Sequence, residues 1–194
     1  PTRDQLDSDA VTENETIQNH PDVMELVRNN WDAFTSILAT GADGGAFLLY
    51  AAEQAGNWDV FAVPIGTAGP GEAVRITADK GSDVHPTGAV LDDTLWIAWE
   101  SNRDGGEHQI YLTALRAGHV GTPRRLTPSG CNNYAPAAAV SGQRLWVVWH
   151  SFRENNFDLY ARRVTAGAVD AEVRLTHAPG IDREARLAAR DDQV

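Results

Sequence analysis

The side chains able to do chemistry in this sequence are six histidines, one cysteine and a surplus of carboxylates. His20, His85, His108, His119, His150 and His177 form no His-Glu-x-x-His or other recognisable ligand spacing, so no metal is expected. Cys131 lies in the polar stretch SGCNNY with neither a second cysteine nor an evident base, and reads as a passive loop thiol. Asp83, Asp104, Glu107, Asp182 and Glu184 could supply a carboxylate pair for acid–base work, but no spacing joins two of them. A Gly-x-Ser-x-Gly nucleophile elbow is missing from the sequence. The acidic opening DSDAVTENE lacks the turn glycine and closing glutamate of a calcium loop. Six tryptophans could stack on sugars, with Trp31 and Trp58, next to polar loops, the best placed. These residue types together predict no catalytic residue and no cofactor.

The elements that would position them announce themselves by repetition. LWIAW at Leu95 returns as LWVVW at Leu145, with FLLY at Phe47 as a fainter counterpart. A second phrase follows each: WDVFAV at Trp58, HQIYLTAL at His108 and FDLYARRV at Phe157. The third phrase ends at Thr77, Thr127 and Thr176, which fall 50 and 49 residues apart. Between units stands a small-residue phrase, PTGAV at Pro86 and PAAAV at Pro136, with a degenerate echo, EARLAAR, from Glu184. The N-terminal ELVRNNWDAFTSIL carries a faint copy of the same join.

Each phrase is rich in Trp, Val, Ile, Tyr and Thr and is bounded by turn residues, so each reads as a strand. Four antiparallel strands in roughly fifty residues is the format of a β-propeller blade. Small residues place PTGAV and PAAAV innermost, and Arg75, Arg125 and Arg174 would blunt the outer edge. Trp96 and Trp99 point to opposite faces of one strand, which is sensible only if blades stack on both sides. The fold class is therefore all-β, a propeller of four-stranded antiparallel blades with about three complete blades plus partial strands. Residues 1–25 are expected to be a peripheral acidic leader and 26–194 the blade repeats, with a lone inner strand at 184–190. Three blades are too few for closure. Two bare blade faces would remain, and either further blades or a second copy would complete the ring.

The repeat resembles the Tol-type, WD40-like propeller family of the bacterial translocation protein TolB. Ser101, Arg103, Asp104, Gly105, Ile110, Tyr111, Leu126 and Thr127 carry the resemblance, and Ser151, Arg153, Leu159, Tyr160, Leu175 and Thr176 repeat it. Such repeats occur in periplasmic partner-binding proteins, peptidase caps and lyases, so the resemblance implies a propeller with one of those roles, in the periplasm or secreted.

Net charge is −11 and the sequence pI is 4.8, which argues against nucleic acid and anionic lipid as partners. Apolar runs of about five residues are far too short to span a membrane. In an antiparallel blade alternate loops share a face, so the loops inside the WES…HQIY phrase join those leading to the next inner strand. That rim carries the expected binding residues: Asp83, His85, Arg103, Asp104, Asn132, Asn133, Tyr134, Asp182, Arg183 and Glu184. The function expected is a non-catalytic module binding a protein, small-molecule or glycan ligand there. The alternatives are a gating propeller of a larger hydrolase, or a propeller enzyme acting on polysaccharide or glycan.

Overall fold

The computed structural model describes residues 33–40, 46–165 and 168–189. The expected leader, His20 and Trp31 lie outside them. The described strands are antiparallel, with no helix among them.

Three sheets repeat one plan. The first holds β1 (Ala33–Thr40), β2 (Ala46–Gln54), β3 (Asn57–Gly66), β4 (Gly69–Pro70) and β5 (Val74–Arg75). The second holds β6 (Asp83–Leu91), β7 (Thr94–Ser101), β8 (Gln109–Arg116), β9 (His119–Val120) and β10 (Arg124–Arg125). The third holds β11 (Asn132–Ser141), β12 (Arg144–Arg153), β13 (Asn156–Thr165), β14 (Ala168–Val169) and β15 (Val173–Arg174). Three long strands run side by side, and the fourth is split into two short pieces that both pair with the third. β9 and β14 fall in RAGHVGTP and TAGAVDAE, between the second and third phrases of their units. The order is the one the phrases predict: three blades of a β-propeller, with the small-residue strand innermost.

Hairpin turns follow the twist of their strands. Asp92–Asp93, Glu154–Asn155, Ala55–Gly56 and Ala117–Gly118 all hold both central residues at positive φ, as a two-residue type I′ turn requires.

Cores lie between blades. Leu49, Val60, Ala62 and Ile76 of the first meet Leu95, Ile97, Trp99 and Tyr111 of the second. Ala98, Ile110, Leu112 and Leu126 of the second meet Leu145, Val147, Trp149 and Tyr160 of the third, with Trp96 packed against them. The two tryptophans of β7 therefore serve opposite interfaces. At Gly88 of β6, an added Cβ would stand 2.7 Å from Leu49 Cδ1 and 2.8 Å from the Trp96 carbonyl, so inner-strand crowding demands a small residue.

Two expectations are corrected. The outward face of the first blade is not bare, since Leu48, Tyr50, Ala52, Phe61 and Val63 are buried there. Residues 184–189 form no strand, although Asp182 N–H still bonds the Phe157 carbonyl as Asn133 N–H bonds that of His108. A ladder needs a partner strand, and none of the described residues pairs with this segment. The outward face of the third blade does remain open. Leu175 is 48% exposed, while its equivalents Ile76 and Leu126, covered by a following blade, are 5% and 2%.

Candidate functional site

Two sets of polar side chains occupy the predicted rim, and they do different things. The first is a repeated bracket. Asp83, wholly buried, accepts Trp99 Nε1–H at 3.0 Å and Arg103 Nη2 at 2.9 and 3.1 Å. Arg103 also donates to Ser101 Oγ at 3.0 Å and to Asp79 at 2.7 Å, and lies over the Tyr111 ring. One blade on, Asn133 takes the Trp149 indole N–H at 3.0 Å, and Arg153 reaches Ser151 Oγ at 2.9 Å across the Tyr160 ring. The Ser-x-Arg motif thus ties second strand to inner strand. Asp83 is pushed above the usual carboxylate range by burial, which its bonds from Ser101 and Arg103 only partly offset.

A parallel set closes each blade on its outer side. Thr77, Thr127 and Thr176 accept the N–H groups of Val60, Ile110 and Leu159 at 2.9–3.0 Å. Arg75 and Arg174 pair with buried Asp59 and Asp158 at 2.5 and 2.7 Å, so these arginines do more than blunt an edge. Gln109 replaces the aspartate in the middle blade, and Arg125 turns instead to Asp104 at 3.0 Å. Asp104, also hydrogen-bonded by the Tyr111 hydroxyl, is held below the usual range by that bond despite some burial.

The second set does not repeat. Glu100 follows Trp99 on β7 and so faces the third blade. Its carboxylate accepts His108 Nδ1–H at 2.6 Å, His85 Nδ1–H at 3.0 Å and the Ala135 N–H at 3.0 Å. Its side chain is 4% exposed, while those of His85 and His108 are 33% and 36% exposed and lead outward. Burial pushes Glu100 up, but the bonds from His85 and Ala135 and the nearby imidazoles bring it below the usual range. Next to this clamp runs a row of rings. Tyr134 lies 5.2 Å from His108 and 5.5 Å from His150, and Phe157 lies 5.7 Å from His150. The Arg183 guanidinium caps Phe157 at 3.6 Å. Burial and then Arg183 lower His150, and burial and then the Glu100 charge raise the Tyr134 phenol.

Local backbone explains the convergence. β6 and β11 each carry a register break, between Val84 and Thr87 and between Tyr134 and Ala137. His85, Ala135 and Glu184 occupy the same place in successive units, and all take positive φ. Such a bulge re-aims the chain, here toward the neighbouring blade. The two loop families share one rim as predicted: Asn102 Oδ1 accepts Ser82 N–H, Asn132 Oδ1 accepts His108 N–H, and Glu107 accepts Gly130 N–H.

Of the ten predicted residues, His85, Tyr134, Arg183 and Glu184 belong to the cluster, and Asn132 supports its His108 loop. Asp83, Arg103 and Asn133 are taken up by the brackets, and Asp104 lies outward beside Arg125. Asp182 stands at the bracket position of a next inner strand. Glu100, His108, His150 and Phe157 were not among the predicted set, although their columns (100/150 and 108/157) differ between blades as 85/135/184 does. No group of three or more histidines, cysteines or carboxylates is arranged for a metal ion among the described residues.

No family model matches the chain, and no curated protein matches it. Solved propellers do. An α-L-arabinanase from Penicillium chrysogenum, complexed with arabinobiose, aligns at TM-score 0.59 and 13% identity, over 76% of this chain and 51% of that one. A thermostable family-43 glycoside hydrolase aligns at 0.53 and 13%, over 78% and 62%. The polysaccharide lyase Uly1 aligns at 0.51 and 9%, over 80% and 42%. These structural alignments show the β-propeller fold and nothing beyond it, and the chain spans between two fifths and two thirds of those proteins. A putative TolB from Agrobacterium tumefaciens aligns at 0.45 and 18%, over 73% of this chain and 50% of that one.

Proposed function

We propose that the Glu100 cluster is a polysaccharide or glycan site and that this propeller acts on the polymer it binds. The observation that carries the reading is the juxtaposition of a buried carboxylate, clamped by two outward-leading histidines, with an aromatic row. Sugars are recognised by directional polar groups beside a ring that packs on their apolar faces. The three propellers above are an arabinanase, a glycoside hydrolase and a polysaccharide lyase, which supports this over a module for protein partners. A polymeric substrate also suits the periplasmic or secreted location expected from the sequence. We retain the Tol-type repeat as a proposal about the brackets alone, whose Ser-x-Arg motif serves the scaffold.

Titration calorimetry of the full chain with arabino-oligosaccharides and with oligouronides tests the reading. Binding of at least one ligand, weakened about tenfold or more by Tyr134→Ala or Glu100→Gln, is the predicted result. Binding left intact by both substitutions would place the site elsewhere.

A further inference from the structure

We infer that the Glu100 cluster cleaves a uronate-containing polysaccharide by β-elimination, with His108 as base, Tyr134 as acid and Glu100 as the residue that positions His108. The inference rests on the glycan reading and adds the reaction and substrate class.

Hydrolysis between two carboxyl groups needs one that keeps its proton close to one that does not. Glu100 accepts three hydrogen bonds and is held ionised, so it has no proton to give. Glu184, the other carboxylate at the cluster, is open to water. Asp83, Asp104 and Glu107 are engaged in scaffold bonds. Proton transfer here belongs to the imidazole and the phenol. The 2.6 Å bond to Glu100 fixes the His108 proton on Nδ1 and leaves Nε2 as the basic nitrogen on a partly exposed ring. Tyr134 lies against that ring, and its raised phenol remains protonated at neutral pH. Arg183 is exposed and sits over the Phe157 ring, which lies 6.2 Å from Tyr134 and 5.7 Å from His150, so a cation stands ready for a substrate carboxylate. It offsets locally the chain's overall charge of −11.

The step balances without a co-reactant. His108 Nε2 takes the proton from the carbon α to the uronate carboxylate, and that C–H pair becomes the new C=C bond. The C–O bond at the β carbon breaks, and the departing oxygen takes the Tyr134 phenolic proton. Arg183 neutralises the charge that builds on the carboxylate. The return of the proton from His108 to Tyr134, through solvent, resets the site.

The test incubates the full chain with polygalacturonate, alginate and neutral arabinan, reading unsaturated ends by ultraviolet absorbance, reducing ends, and binding by calorimetry. Unsaturated ends from at least one polyuronate are expected. Tyr134→Phe keeps the ring and should lower that rate about 10²–10⁴-fold at unchanged melting temperature. Glu100→Gln should lower it too and shift the acidic limb of its pH profile to lower pH, which a merely structural glutamate would not do. Binding without unsaturated ends, or reducing ends without unsaturation, overturns the elimination and leaves the glycan reading standing. No binding to any of the three overturns both.

Discussion

Trp99 and Glu100 are neighbours on β7, and they belong to different economies of the molecule. Trp99 points toward the first blade, is wholly buried, and gives its indole N–H to Asp83. Trp149 does the same with Asn133 one blade later. Glu100 points the other way, and its counterpart Trp149-plus-one is His150, a different chemistry altogether. Stacking imposes the same answer in every blade, so the residues that serve it recur. A ligand touches the ring from one side and meets each blade differently, so the residues that serve it diverge. On β7 the repeated Trp99 serves packing, and the unrepeated Glu100 belongs to the proposed site.

Trp99→Ala and Trp149→Ala should each cost about 3–5 kcal/mol of stability, read by chemical denaturation. A cost below about 1 kcal/mol would mean the repeated column is not the scaffold. Next comes the bracket. Asp83→Ala should cost about 1–3 kcal/mol by leaving the Trp99 indole and one face of Arg103 unpaired. Asp83→Asn should cost less than about 1 kcal/mol, because Asn133 already performs this task and a neutral amide avoids burying a charge. By the same reasoning Arg103, expected from sequence to bind a ligand, should lower the melting temperature when replaced.

The cluster should show itself through pH. Glu100 is held below its unfolded value, so its contribution is present above the ordinary carboxylate value, about 4.3, and is lost as pH falls through the folded value. His150 is also depressed. Folding disfavours its proton, so stability declines as pH falls below the ordinary histidine value, about 6.5. Asp83 works in the opposite sense, since acidification relieves the penalty on its raised, buried carboxylate. Thermal melts from pH 7 to 5 should therefore fall in the native chain and flatten in His150→Phe, which keeps the ring beside Tyr134. The smallest stability effect belongs to Arg183→Ala, within about 0.5 kcal/mol, while its ligand binding weakens.

Much of the fold was legible because blade packing writes itself into spacing. The phrases ending at Thr77, Thr127 and Thr176 gave the period, and their hydroxyls prove to close each outer strand on the third. The alternation of Trp96 and Trp99 encodes two-sided burial, and the two rings do lie in opposite inter-blade cores. The outer strand was read as one piece because Arg-Leu-Thr was the only repeated signal; β9 and β14 are held by backbone pairing, which leaves no side-chain signature. The site was only half legible. His85 and Tyr134 stood out in polar loops, but Glu100 lies inside an apolar strand phrase, where a single carboxylate looks incidental. The burial that makes it chemically interesting exists only once the third blade packs on the second. Asp83 and Arg103 show the complementary limit: charge in a loop suggests a ligand, and only the fold reveals the buried indole that Asp83 serves.

Hydrogen exchange of the full chain, with and without saturating polygalacturonate or arabinan, tests the division of labour most directly. Protection on binding should rise at 100–108, 133–135, 150 and 182–184, and stay unchanged at the opposite rim, at 92–93, 117–122 and 142–143. Protection gained at the opposite rim, with none around Glu100, would contradict it.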